Sequence, residues 1–225
     1  MLIKDWMTRE PITVTEDTSI IKAMHIMKQH RFRRLPVVNS DGQLAGMITD
    51  RDLKEASPSK ATTLDVHELY YLLAELQVKE IMSREPIKVS PDDTVEHAAQ
   101  MMLEHIVSGL PVVNERGDLV GIITQSDIFR AFMDITGIRL GGVQFALRVS
   151  DTPGSIKDVV DILRARKARL VSLYTSYTSV KEGFRDVYIR AKNLPPSEIQ
   201  SVKDEIAAHY EIIYVIQDRE ETSKE

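Results

Sequence analysis

The chain has 225 residues, 43% hydrophobic and 28% charged, with 34 acidic against 29 basic side chains and no cysteine. That content supports folded domains over disorder, and the formal charge of −5 argues against nucleic acid as a partner, because phosphate backbones are held by unpaired cations. No run approaches the roughly 20 apolar residues that span a bilayer. The opening Met1-Leu2-Ile3-Lys4-Asp5-Trp6 lacks a signal-peptide layout, and without cysteine there is neither a disulfide nor a thiolate. A cytoplasmic protein with no membrane partner is the expectation.

An internal repeat organises the first half. Shifted by 75 residues, Lys4 to Leu53 aligns with Lys79 to Ile128 without a gap, and 22 of the 50 positions are identical. In chain order each copy opens with Met-(Thr/Ser)-Arg-Glu-Pro-Ile, where the proline disfavours helix and a short strand follows (Ile12 to Val14, Ile87 to Val89). Next comes the stripe of an amphipathic helix, Ile20, Ala23, Met24 and Met27 in the first copy and Val95, Ala98, Ala99 and Met102 in the second. Thr18 and Asp93 stand where an N-cap belongs, with Glu96 completing a capping box in the second copy. Leu-Pro-Val-Val-Asn, a turn at Gly42 or Gly117, and a second apolar run (Leu44 to Ile48, Leu119 to Ile123) read as a hairpin. Thr-x-x-Asp (Thr49/Asp52, Thr124/Asp127) then opens a closing helix.

Between the copies, residues 54–78 read as an inserted helical linker, with Leu64, Glu68 and Leu72, and Leu69, Leu73 and Leu76, at helical spacing after the breaker Ser57-Pro58-Ser59. It is either an interface or a flap over a cleft. Beyond the second copy (residues 79–135), Gly137, Gly141 and Gly142 mark a linker over 136–142. A further domain is expected over 143–217, followed by a charged tail over 218–225. Its elements are a strand Val143 to Val149, a turn Ser150 to Gly154, and a helix burying Ile156, Val159, Val160 and Leu163. A strand alternating at Val171, Leu173, Thr175 and Tyr177 follows, then a strand Phe184 to Ala191, a helix begun by Pro195-Pro196-Ser197, and a strand Glu211 to Ile216. The order βαββαβ is ferredoxin-like, and the chain as a whole is α/β (α+β).

The words Leu-Pro-Val-Val and Gly-x-Ile-Thr-x-x-Asp, each present twice, resemble CBS motifs, which pair about a pseudo-twofold axis into a module with two clefts. The resemblance covers about 100 residues. It implies a βαββα unit per copy and an adenine nucleotide (AMP, ADP or ATP) as ligand, no cofactor being required. In that reading Asp52 and Asp127 hold the ribose diol, which suits a carboxylate because its two oxygens accept from adjacent hydroxyls. Thr49, Thr124 and the free amides of the helix N-terminus meet phosphate. Adenine lies between the Ile12 to Val14 (or Ile87 to Val89) strand and the Val37 (or Val112) side of the Leu-Pro-Val-Val strand, where backbone groups can recognise the base edge. The copies differ where phosphate charge must be met: Arg33, Arg34 and Arg51 correspond to Ser108, Gly109 and Ser126, so the arginine-bearing side is expected to carry the anion.

Plain alternatives stand beside each of these. Thr-x-x-Asp is also an ordinary capping arrangement, and Arg33 with Arg34 is equally a solvated pair. His30 and His105 at helix ends read as dipole partners, not ligands.

Asp-Thr-Pro-Gly-Ser-Ile at the start of the last domain resembles an ACT domain over about 75 residues. That implies dimerisation, with an amino acid held near Asp151, Pro153, Gly154 and Ser155. Where that family often has Gly-x-Asn, this chain has Lys167-Ala168-Arg169, which favours plain dimerisation. The order CBS, CBS, ACT resembles the AcuB-type acetoin-utilisation proteins. No nucleophile elbow, zinc-binding His-Glu-x-x-His or phosphate loop is present. A homodimeric, non-catalytic nucleotide sensor acting on a separate protein is expected; the rivals are a dimerising adaptor with empty clefts and an enzyme acting on a nucleotide.

Overall fold

Each repeat builds its helices around the buried positions of the stripe. A computed structural model describes residues 1–56 and 73–218, so most of the inserted linker and of the charged tail lie outside the described residues. The chain divides into two units, Met1–Ala131 and Phe132–Glu225.

In the first unit the first repeat runs β1 (Thr8–Arg9), β2 (Val14–Thr15), α1 (Ile20–His30), β3 (Arg34–Val38), β4 (Leu44–Thr49) and α2 (Asp50–Ala56). The second runs α3 (Val78–Ile81), β5 (Ser83–Arg84), α4 (Val95–Glu104), β6 (Gly109–Val113), β7 (Leu119–Thr124) and α5 (Gln125–Thr136), whose last residues from Phe132 belong to the second unit. The expected strand Ile87 to Val89 is reduced to a parallel bridge, Val89 to Val112. α1 buries Ile20, Ala23 and Met27 but leaves Met24 exposed, a narrower stripe than the spacing suggests.

The caps also fall one residue later than expected. Ser19 accepts from the Lys22 amide and Thr94 from the His97 amide. Thr18 and Asp93 instead close the preceding turns, accepting from the amides of Thr15 and Ser90.

The two repeats exchange edge strands. The sheets run β2-β3-β4-β5 and β1-β7-β6, so each hairpin is flanked by a two-residue strand from the other copy. The cores are exchanged in the same way: Val78 and Met82 enter the first repeat's core, and Ile3 enters that of the second. A Cβ on Gly46 would lie 2.8 Å from the Ser83 carbonyl oxygen, and one on Gly121 would lie 2.9 Å from that of Thr8. The glycine of each Gly-x-Ile-Thr word is therefore the price of this crossing. Two ion pairs repeat the symmetry, Lys4 with Asp92 and Lys79 with Asp17, each at 2.7 Å.

The second unit contains β8 (Val143–Ser150), α6 (Lys157–Ala165), β9 (Arg169–Ser176), β10 (Phe184–Lys192), α7 (Pro196–Ala207) and β11 (Glu211–Gln217). Its antiparallel sheet has the order β11-β8-β10-β9, the ferredoxin-like arrangement. Phe145, Leu147 and Ile189 on the sheet pack with Val159, Leu163, Val202 and Ile206 of the helices. Leu173 and Thr175, expected to be half-buried, are exposed because β9 is an edge strand. Residues 136–142, expected as a linker, are tied to this sheet. The Thr136 carbonyl accepts from Ser172 Oγ at 2.8 Å and Arg190 Nε at 3.0 Å, and a Cβ on Gly142 would meet the Ala191 carbonyl oxygen at 2.3 Å.

Candidate functional site

The two Thr-x-x-Asp words share one pair of hydrogen bonds, and in the first copy the Asp52 amide also donates back to Thr49 Oγ at 3.3 Å. Asp52 Oδ2 accepts from the Thr49 amide and hydroxyl, each at 2.7 Å, and Asp127 Oδ2 accepts from the same two groups of Thr124 at the same distances. The capping arrangement that the spacing allows is thus made in both copies. It points the remaining oxygen, Oδ1, away from the cap. In the second copy Oδ1 accepts from Arg130, one helical turn along α5.

Asp127 is only 1% exposed, yet it lines a cavity of about 480 Å³. This lies within the range of small-molecule sites. The cavity is formed by both repeats. The first supplies Thr8, Pro11, Ile12, Phe32, Pro36 and the arginines 31, 33 and 34; the second supplies Ser108, Ile122, Thr124, Gln125, Ser126, Asp127 and Arg130. Among the described residues its charged lining is four arginines against a single carboxylate. Arg31 is placed there by the end of α1, where it adopts a left-handed backbone (φ 56°) as the C-cap. Arg34 spans to the other copy, donating to the Gly109 carbonyl at 3.1 Å and to Ser108 Oγ. Burial holds its guanidinium below the ordinary arginine value, with attraction from Asp50 opposing that shift.

The structure therefore brings together Ile12, Arg33, Arg34, Thr124 and Asp127 from the residues singled out in the sequence. The others lie elsewhere. Val14, Val37, Val89 and Val112 are core residues whose side chains belong to the two apolar clusters. The apolar wall of the cavity comes instead from Pro11, Ile12, Phe32, Pro36 and Ile122. Arg51 does not join Arg33 and Arg34; it is exposed and paired with Glu55 at 2.8 Å on α2. Ile87 packs on the second core. Thr49 and Asp52 occupy the positions equivalent to Thr124 and Asp127 across the repeat. There the offset of 75 puts Ile106, Ser108 and Gly109 in place of Arg31, Arg33 and Arg34, and Glu55 in place of Arg130.

Sequence reasoning missed Arg31, Phe32, Pro36 and Arg130. The signal available for Arg130 was its place one turn after Asp127. His30 ends α1 and stacks on Phe32 at 5.3 Å between ring centroids; His105 caps α4.

In the second unit Asp151 is held by its neighbours. Arg185 Nη1 lies 3.5 Å from its carboxylate and the Tyr177 hydroxyl donates to it at 3.3 Å. Ser155 Oγ accepts from Arg185 at 3.1 Å. Pro153 and Gly154 are exposed, Gly154 with φ +89°, and the helix begins only at Lys157.

A paired-repeat module with exchanged edge strands, and a ligand-sized cavity between the repeats, is the class this architecture defines. The CBS domain model matches residues 3–59 and 78–134, and the chain belongs to that family. A solved structure of CBSX2 in complex with AMP is 29% identical, covering 60% of this chain and 98% of that one with a TM-score of 0.50. A structure described as an acetoin utilization protein (AcuB) from Vibrio cholerae is 28% identical, covering 62% of this chain and 96% of that one at a TM-score of 0.52. L-aspartate semialdehyde sulfurtransferase of Methanocaldococcus jannaschii is 34% identical over 131 residues, 58% of this chain. The match takes in only 23% of that enzyme's length. Among the described residues no helix is long and apolar enough to cross a membrane.

Proposed function

We propose that the chain is a regulatory protein whose CBS pair binds an adenine nucleotide and whose second unit is an ACT-like dimerisation or sensing domain. The observation that carries this reading is the cavity in which three arginines of one repeat face Thr124, Asp127 and Arg130 of the other. Such a site offers acceptors for a ribose, an apolar wall for a base, and guanidinium forks for phosphate. In it Asp127 takes the ribose hydroxyls, Ile12, Pro11 and Pro36 flank the base, and Arg31, Arg33, Arg34 and Arg130 meet the phosphate. Thr49 and Asp52 mark the equivalent groove. The AMP complex of CBSX2 supports the ligand class.

The ACT-like assignment is supported by the ferredoxin-like sheet order and by the Asp151 to Ser155 turn before α6. A homodimer is supported by Phe132 and Ile135 of the second unit, spaced three apart on α5 and both exposed. In this reading the protein does no chemistry on the nucleotide. It works in the cytoplasm on a separate protein, in the AcuB-like setting of acetoin utilisation.

Isothermal titration of the full chain with AMP, ADP and ATP tests the reading. Saturable binding that is lost from one site in Asp127→Ala is the expected result. No binding of any of the three would overturn it, and chromatographic detection of a converted nucleotide after incubation would overturn the non-catalytic role.

A further inference from the structure

The two carboxylates that are alike in sequence differ in what they still have to give. A carboxylate offers about four acceptor positions, two on each oxygen. On Asp127 the Thr124 amide and hydroxyl occupy Oδ2, and Arg130 occupies part of Oδ1. About one position is then left for a diol that brings two hydroxyls. On Asp52 the same cap occupies Oδ2, and the residue one turn on is Glu55, which pairs with Arg51. Arg130 therefore competes with a ribose for Asp127, whereas among the described residues no arginine donates to Asp52, which Arg34 and Arg51 reach only by longer-range attraction.

Arg130 is not locked in place. Its side chain is 54% exposed, against 2% for that of Asp127, and it borders the same cavity as Arg31, Arg33 and Arg34. An anionic group entering among those arginines gives its guanidinium a second partner, and a guanidinium can leave one anion for another without losing charge-assisted hydrogen bonds. A neutral nucleoside gives it none.

We infer that Arg130 is a specificity-determining residue. By moving from Asp127 to the ligand's phosphate it frees Oδ1 for both ribose hydroxyls, so ribose recognition in this cleft is coupled to the presence of phosphate. The inference rests on the nucleotide reading above and adds the means by which a phosphorylated nucleoside is told from a bare one.

The test is calorimetric titration of the full chain with AMP and with adenosine in an Asp52→Asn background, which silences the other carboxylate while keeping its shape. With Arg130 intact, AMP is expected to bind more tightly than adenosine. In Arg130→Met the AMP-to-adenosine preference should fall by about tenfold, the size of one charge-assisted contact. Adenosine affinity should stay the same or rise, because its hydroxyls no longer have to displace a guanidinium. Arg130→Lys should retain part of the preference, and Arg130→Gln serves as a second neutral variant if the methionine form does not fold. Equal weakening of both ligands, or an unchanged preference, would overturn the inference while leaving nucleotide binding standing. Failure of the Arg130-intact chain to bind either ligand, with the unsubstituted chain equally inert, would overturn both.

Discussion

Thr124 holds a carboxylate that both opens a helix and lines the cavity. Its hydroxyl and amide hold Asp127 Oδ2 at 2.7 Å each, which both caps α5 and fixes the carboxylate against the cavity. Thr124→Val removes the hydroxyl but keeps the amide and the side-chain volume. It is expected to cost about 1.5–3 kcal/mol of stability, the range for a hydrogen bond to a charged partner, with a slackened Asp127 and weaker AMP binding; urea unfolding and titration calorimetry measure the two effects separately. The carboxylates and threonines of this site were legible in the sequence because they are local: cap, helix start and spacing are set within four residues. The arginines were only half legible. Arg33 and Arg34 stood out as a difference between copies, but the sequence pairs each residue with its own repeat, whereas the folded cavity pairs the first repeat's arginines with the second repeat's Asp127. Arg51 lies outside this cavity's lining and pairs with Glu55. The valine side chains fill the two cores, so their strands can meet a base only through the backbone, and alternation says that one face of a strand is buried, not by what.

At the scale of elements, the exchange of edge strands explains more of the sequence than any single helix does. Each Gly-x-Ile-Thr glycine lies under the two-residue strand of the opposite copy, with a Cβ at Gly121 falling 2.5 Å from Met7 Sδ and 2.9 Å from the Thr8 carbonyl oxygen. The methionine can swing aside; the backbone cannot without disturbing the pairing of Thr8 with Ile122. Gly121→Ala is accordingly expected to destabilise the first unit by about 1–3 kcal/mol, the usual cost of forcing atoms into a filled space, and Gly46→Ala to do the same by symmetry. Comparable losses in chemical unfolding would bear this out; a neutral Gly121→Ala would mean that the strands separate freely. The repeat, the helices and the hairpins were readable because periodicity and turn residues act over a few positions. The crossing was not, since strands of two residues carry almost no pattern and each pairs with a strand of the other repeat, Thr8 with Ile122 and Ser83 with Met47. The cap positions slipped by one residue because Thr18-Ser19 and Asp93-Thr94 each offer two capping side chains in a row, and only the turn geometry selects the second.

At the scale of the whole molecule, the described residues form three apolar clusters in two units. Two clusters lie within Met1–Ala131 and are linked by exchanged residues, Val78 and Met82 in one and Ile3 in the other; the third lies within the ferredoxin-like unit. Exchange of core residues ties the two repeats into one cooperative body, because neither core is complete when its partner unfolds. The third cluster draws every one of its residues from Val143 onward, so its melting is not bound to theirs by shared core residues. A ligand that occupies the inter-repeat cavity binds only the folded form of the first unit and stabilises that unit by mass action. At a free concentration of 100 dissociation constants this amounts to about 2.7 kcal/mol, or roughly 5–11 °C in a midpoint at a few degrees per kcal/mol. Scanning calorimetry of the full chain is therefore expected to resolve two transitions. Saturating AMP should raise the one that Gly121→Ala lowers, and leave the other where it was. A single transition moving as one with AMP would show instead that the two units unfold together, and a scan that AMP leaves unchanged would place its binding, if any, outside the folded pair.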